Sequence, residues 1–292
     1  MIDSLKKQFG WKSADFNEEG FIQTDVGLKR ISNWNDKALL EWHIQWRDEC
    51  NVTPYIIMDR MIRTKAGKPF VELEGSFTTV HDVIQQESEQ RGLEKHWGVY
   101  IGKTISLGRK QKQKKEMEIR EFSKLTSLFP QVTVEEKKQL SGFIAEADKR
   151  MKRAEKIIKE AEQQLPVMDY FHTDGKQVVT MLLINGSQQK PVPGFHSLMT
   201  FLREWHKENG EDSLHQLLNY IDEKALLTDD EKKWMIAEAL VVDELKPFLL
   251  AVETEEAVDV PGFLTEVSDE WDQSKRFIAS FATWLDRKKV IS

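Results

Sequence analysis

His172-Thr173-Asp174 sets an imidazole and a carboxylate two residues apart, an arrangement in which the carboxylate can serve as a general base. Lys29 lies in Gly27-Leu28-Lys29-Arg30-Ile31, a strand-like stretch that could present an ammonium group to an anion. Glu41 and Glu49 fall on the helix-like segment that follows, Glu49 being nearer the apolar face. Each has a plainer reading. Lys29 can be a solvated strand lysine and Glu49 an exposed helix acid. Asp174-Gly175 and Asn185-Gly186 are both common turn pairs.

Other chemistries find little support. The seven histidines include no H-E-x-x-H pair, and His206 and His215 fall on different expected helices, so no metal site is expected. There is no G-x-S-x-G elbow. Cys50, the single cysteine, reads as a small buried apolar group rather than a nucleophile and excludes an intrachain disulfide. The run 109–115 carries Arg109, Lys110, Lys112, Lys114 and Lys115 with no acid between them. Such a run is either a solvated face or a docking patch for an acidic partner.

The elements that must position these groups change character along the chain. Up to about residue 85 the pattern is strand-like around one helix. Strands are expected at 21–24, 28–31, 55–58 and 70–73, with a hairpin turn at 65–68. The helix over 36–49 carries Leu39, Trp42, Trp46 and Cys50 at three- and four-residue spacing. From about Val80 helical stripes take over. Helices are expected over 79–91, from Trp97 into the basic run, over 134–165, at 195–207 and 214–224, from Thr228 with a capping box to Glu231, and over 268–287. One strand-like run, 178–184, interrupts them. This implies an α+β chain, with a small antiparallel sheet plus one helix at 1–88 and a mostly helical part at 89–292.

Composition sets the outer bounds. The chain has 292 residues, 40% hydrophobic and 31% charged, in keeping with a globular protein. A net charge of −7 argues against a general nucleic-acid binder. No apolar run reaches the ~18 residues of a membrane span and no secretory leader is evident, so a cytoplasmic protein without membrane insertion is expected.

The element order, with the stretch around Lys29, the segment Asp59-Arg60-Met61-Ile62-Arg63-Thr64 and the later Leu202-Arg203-Glu204-Trp205, resembles the CotS/YutH-type spore-coat-associated proteins. These are kinase-like relatives of aminoglycoside and choline phosphotransferases. The resemblance implies a protein-kinase-like two-lobed fold and a set of roles. Lys29 would pair with nucleotide phosphates and Glu49 would hold it. His172 and Asp174 would form the catalytic H-x-D. An Asn five residues on and an Asp after the next strand would hold Mg²⁺. This sequence departs at both metal positions, with Val179 and Asn185, and it has no G-x-G-x-x-G loop. An amide is a poorer Mg²⁺ ligand than a carboxylate. The leading expectation is therefore a pseudokinase retained for binding or assembly, with spore-coat components as partners. The rivals are an active small-molecule phosphotransferase using Mg-ATP and a helical interaction protein of another fold.

Overall fold

Ile2–Phe9 forms α1, which leads into β1 (Ala14–Phe16), β2 (Ile22–Thr24), β3 (Gly27–Trp34) and α2 (Lys37–Glu49). Next come β4 (Ile56–Met58), β5 (Val71–Leu73), β6 (Ser76–Asp82), α3 (Glu94–Gly108) and β7 (Gln113–Lys114). They are followed by α4 (Val134–Ile158), β8 (Gln164–Leu165), β9 (Val167–Met168), β10 (Gly175–Val178), β11 (Met181–Ile184) and β12 (Val192–Pro193). The chain closes with α5 (His196–Ala225), α6 (Asp229–Ala239), α7 (Lys246–Glu253) and α8 (Val260–Ile291). The computed structural model describes residues 1–83, 92–118, 120–171, 175–178, 181–254 and 259–291, with backbone alone at 175–178 and 288–291.

The chain divides into two compact units. The first joins residues 1–110, 168–192 and 219–225, and the second holds 111–167, 193–218 and 226–292. The first unit is built on a five-stranded antiparallel sheet of order β1-β2-β3-β6-β5. Two cores cover its faces. Leu5, Trp11, Ile22 and Val80, with Ile31, form one, and Trp34 with Leu40 of α2 forms the other. A second sheet pairs β10 with β11 antiparallel and β11 with β4 in parallel. The second unit packs α4, α7, α8 and a 3-10 segment around Phe122, Leu140, Phe248 and Trp271.

Local chemistry explains most element ends. Asp36 caps α2 by accepting from the Leu39 amide at 3.1 Å. Thr133 and Thr228 open α4 and α6 with full capping boxes to Glu136 and Glu231. Gly210, at φ 83°, breaks α5 where Asn209-Gly210 was expected to separate two helices.

Four expectations are corrected. Residues 79–82 are not helical but finish β6, because the β-branched Thr78-Thr79-Val80 run is buried on both faces and shows no alternation. The basic run leaves the helix after Gly108 and passes through a 3-10 turn into β7. The long helix stops at Ile158, short of Leu165. The buried stripe of α2 is Leu40, His43, Trp46 and Arg47, so two polar side chains enter a face expected to be apolar. Among the described residues no helix is long and apolar enough to cross a membrane.

Candidate functional site

The parallel pairing of β4 with β11 brings together the residues that follow them. The Asp59 amide donates to the Ile184 carbonyl at 2.9 Å, so Asp59 leaves its strand beside Asn185. Asp59 is 4% exposed and is surrounded by donors. Arg30, from β3, ion-pairs with its Oδ2. Arg47, from α2, reaches the same oxygen at 3.4 Å and the Asp59 carbonyl at 3.1 Å. His81, from β6, lies 3.0 Å from Oδ1. Cross-strand register explains the meeting, since Arg30 stands opposite His81 and both side chains fall on the α2 side of the sheet.

The electrostatics follow from burial and partners. Burial raises the Asp59 pKa, but the His81 hydrogen bond and the two guanidinium charges outweigh it and hold the pKa below the ordinary value. Burial lowers the pKa of His81 despite the opposing pull of Asp59. A neutral imidazole facing an ionised carboxylate must donate from Nδ1. Nε2 then accepts from the Thr79 hydroxyl at 2.9 Å, and Thr79 Oγ1 accepts in turn from Trp34 Nε1 at 3.1 Å. A hydrogen-bonded chain thus runs from Trp34 through Thr79 and His81 to Asp59.

Arg47 also ties this cluster to the loop after β11. Its Nη2 donates to the Ser187 carbonyl at 2.7 Å. A Cβ at Gly186 would lie 2.3 Å from its Nε, so only glycine allows this approach. The loop is held further by Asp169, which is 5% exposed. Asp169 accepts from the Ser187 hydroxyl, from the Ser187 amide at 3.1 Å and from the Tyr170 amide at 2.8 Å. His43 donates from Nε2 to the Gln189 carbonyl at 2.8 Å, and burial keeps its pKa low.

The sequence-selected residues lie around this cluster rather than in it. Lys29 sits on the sheet face opposite α2, the face that carries Ile31, and pairs with Asp82 and the Val26 carbonyl. Glu49 binds Gln45 and Lys110, both on the protein itself, and Glu41 lies near Lys37. Asn185 is half-buried beside Asp59. His172, Asp174 and Val179 lie outside the described residues. In the basic run, Lys110 pairs with Glu49, Lys112 with Glu162, Lys114 with Glu116 and Lys115 with Glu238, so most of its charge is matched internally.

Sequence reasoning gave no role to Arg30, His43, Arg47, Asp59, His81 or Asp169. Asp169 was findable, because it stands five residues before Asp174, the spacing that the resemblance assigns to base and metal residue. The β1–β2 turn, residues 17–20, spends its amides on itself. Asn17 Oδ1 accepts from Glu19 at 3.1 Å and Phe21 at 2.8 Å, and the Asn17 carbonyl accepts from Gly20. Such a turn offers no cradle of free amides to a phosphate. Among the described residues no group of three His, Cys, Asp or Glu side chains could hold a metal ion.

A curled antiparallel sheet carrying one packed helix, joined to a mostly helical portion, is the kinase-like phosphotransferase fold, and this chain has it. The solved structure of an aminoglycoside phosphotransferase from Alicyclobacillus acidocaldarius subsp. acidocaldarius DSM 446 is similar at a TM-score of 0.69 and 10% identity, over 97% of this chain and 95% of that one. Spectinomycin phosphotransferase APH(9)-Ia, in complex with ADP and spectinomycin, is similar at 0.61 and 12% identity, over 96% and 97%. Its AMP-bound complex gives 0.58 at 14% identity, over 95% and 97%. No family model matches the sequence, and no curated protein is significantly similar to it.

Proposed function

We propose that this chain is a pseudokinase, a phosphotransferase-fold protein that works by binding or assembly and not by phosphoryl transfer. The observation that carries this reading is the Arg30–Asp59–Arg47 cluster. On the sheet face turned to α2, the cation is Arg30, and α2 answers with a second cation, Arg47, while Glu49, the glutamate that the resemblance selects, binds Gln45 and Lys110. Both guanidiniums are spent on one buried carboxylate. Freeing either for a phosphate takes a cation away from that buried carboxylate.

Three further features support the reading. Asn185 stands where a metal carboxylate is wanted, the β1–β2 turn withholds its amides, and Asp169 has its oxygens occupied by Ser187 and Tyr170. The resemblance supplies the setting, a cytoplasmic protein that associates with spore-coat components and is deposited with them. A second reading, an active Mg-ATP phosphotransferase, draws on the five-residue spacing of Asp169 and Asp174.

Thermal unfolding with ATP, with and without Mg²⁺, and an ATP-turnover assay separate the two. A ligand present at a hundred times its Kd stabilises by about 2.7 kcal/mol, an easily measured rise in melting temperature. The pseudokinase reading expects no Mg²⁺-dependent rise and no turnover above background. Turnover that falls about a hundredfold or more in Asp169→Asn or Asp174→Asn would overturn it.

A further inference from the structure

The second unit contains a groove of about 690 Å³ bounded by α4, the end of α6 and α8. That volume lies within the ~300–1,000 Å³ typical of small-molecule sites. Its walls are aliphatic, with Ala145 on α4, Ile236 and Leu240 at α6, and Ile278 and Ala282 on α8. Its charged lining is one-sided. Lys149, Arg150, Arg153 and Lys275 face a single acid, Glu146. Lys275 has a partner in Asp272 at 3.0 Å, whereas Lys149 and Arg153 are exposed and make no ion pair among the described residues. This surplus of cations sits in a chain whose overall charge is negative.

Arg150 is the independent sign of a ligand. It lines the groove yet is 6% exposed. Its Nη2 donates to Ser274 Oγ at 2.9 Å and lies 3.6 Å from Glu244, and its guanidinium stands 5.0 Å from the Trp271 ring centroid. Its Nε and Nη1 have no hydrogen-bond partner. Glu244 is shared with Arg203 at 3.4 Å, and Arg203 also lies 3.9 Å from Asp243. Buried donors without partners are costly, and an arginine keeps its charge even when burial disfavours it.

We propose that the α4–α6–α8 groove binds a small amphipathic anion, an aliphatic body of roughly ten carbons with one carboxylate or phosphate head. The body lies along Ile236, Leu240 and Ile278. The head meets Lys149 and Arg153 at the rim, with Arg150 and its unpartnered Nε and Nη1 beneath. The occupant is a free molecule rather than a membrane lipid, because the α4 cations border a defined groove and do not spread over a flat face.

The test is calorimetric titration of the full chain with monomeric decanoate, with decyltrimethylammonium and decanol as head-group controls. Saturable one-to-one binding of decanoate is expected, with no binding of the cation and weaker binding of the alcohol. K149E/R153E, which changes two exposed side chains, should lower decanoate affinity about tenfold or more. Ile278→Asp should do the same through the apolar wall. Equal affinity in these variants and the parent, or no saturable binding, would overturn the proposal. So would sedimentation with anionic vesicles in the absence of monomer binding, which would make the face a membrane surface.

Discussion

Arg47 and Gly186 share one space, for the guanidinium of the first lies where any side chain on the second would begin. Gly186→Ala should therefore push Arg47 off Asp59 and Ser187. Overpacking of this kind costs about 1–3 kcal/mol. Urea denaturation checks the size, and a double-mutant cycle checks the cause. In an Arg47→Met background the same glycine change should cost clearly less. An equal cost in both backgrounds would assign the effect to the loop backbone instead.

Asp59 holds three partners at once, so its loss should exceed that of any one of them. Asp59→Asn leaves Arg30 and Arg47 with no carboxylate between them. The expected destabilisation is about 3–5 kcal/mol, the range for stranding a buried charge. Arg30→Met should cost less, since Arg47 and His81 remain on the carboxylate. Chemical denaturation that ranks the two variants the other way would remove Asp59 from the centre of the cluster.

Acid should weaken the fold well before the carboxylates titrate. The pKa of His81 is lowered from its ordinary value of 6.5, so the fold prefers the neutral ring. Above that ordinary value both states are neutral, and the contribution of His81 is fully present. Below it the unfolded chain takes up a proton that the fold resists, and stability falls as pH drops through the folded value. The limiting slope is about 1.4 kcal/mol per pH unit for one group. His43 adds to the same trend, because its pKa is lowered as well. His81→Gln should flatten the dependence of the urea midpoint on pH below the ordinary histidine value of 6.5. An unchanged slope would place the acid sensitivity elsewhere. The loss from Asp59 begins lower, below the ordinary carboxylate value of about 3.9.

Trp46 is 6% exposed and stacks on Trp42 with ring centroids 4.9 Å apart. Trp46→Ala should cost roughly 3–5 kcal/mol, the usual range for emptying a large aromatic site. A near-neutral result in thermal and chemical denaturation would mean that the α2 face collapses around the gap.

The fold was legible where one periodicity ran unopposed. The apolar spacing of α2, the capping box at Thr228 and the turn at Asn209-Gly210 all carried local signals strong enough to read. β6 did not, because both its faces are covered and Thr79, Val80 and His81 are all buried. The cluster was harder still. Lys29 and Arg30 are adjacent cations on one strand, and only the register with β6 decides which of them turns toward α2. Arg47 hid in a stripe whose hydrophobic members drew attention to Trp42 and Trp46. Asp59 gains its role from a parallel partner strand more than a hundred residues away, and no local pattern encodes that pairing.

That parallel strand gives the chain an order of assembly. The first unit is written in separate stretches, with 1–110 completed only by 168–192 and 219–225. A ribosome emits the five-stranded sheet first, but β11, the partner of β4, is made only after the whole of the second unit's α4. Until then Asp59 lacks the neighbouring strand, and Arg47 lacks the Ser187 carbonyl. The four side chains of the cluster thus lie within the first 81 residues, while the strand and carbonyl that flank them come more than a hundred residues later.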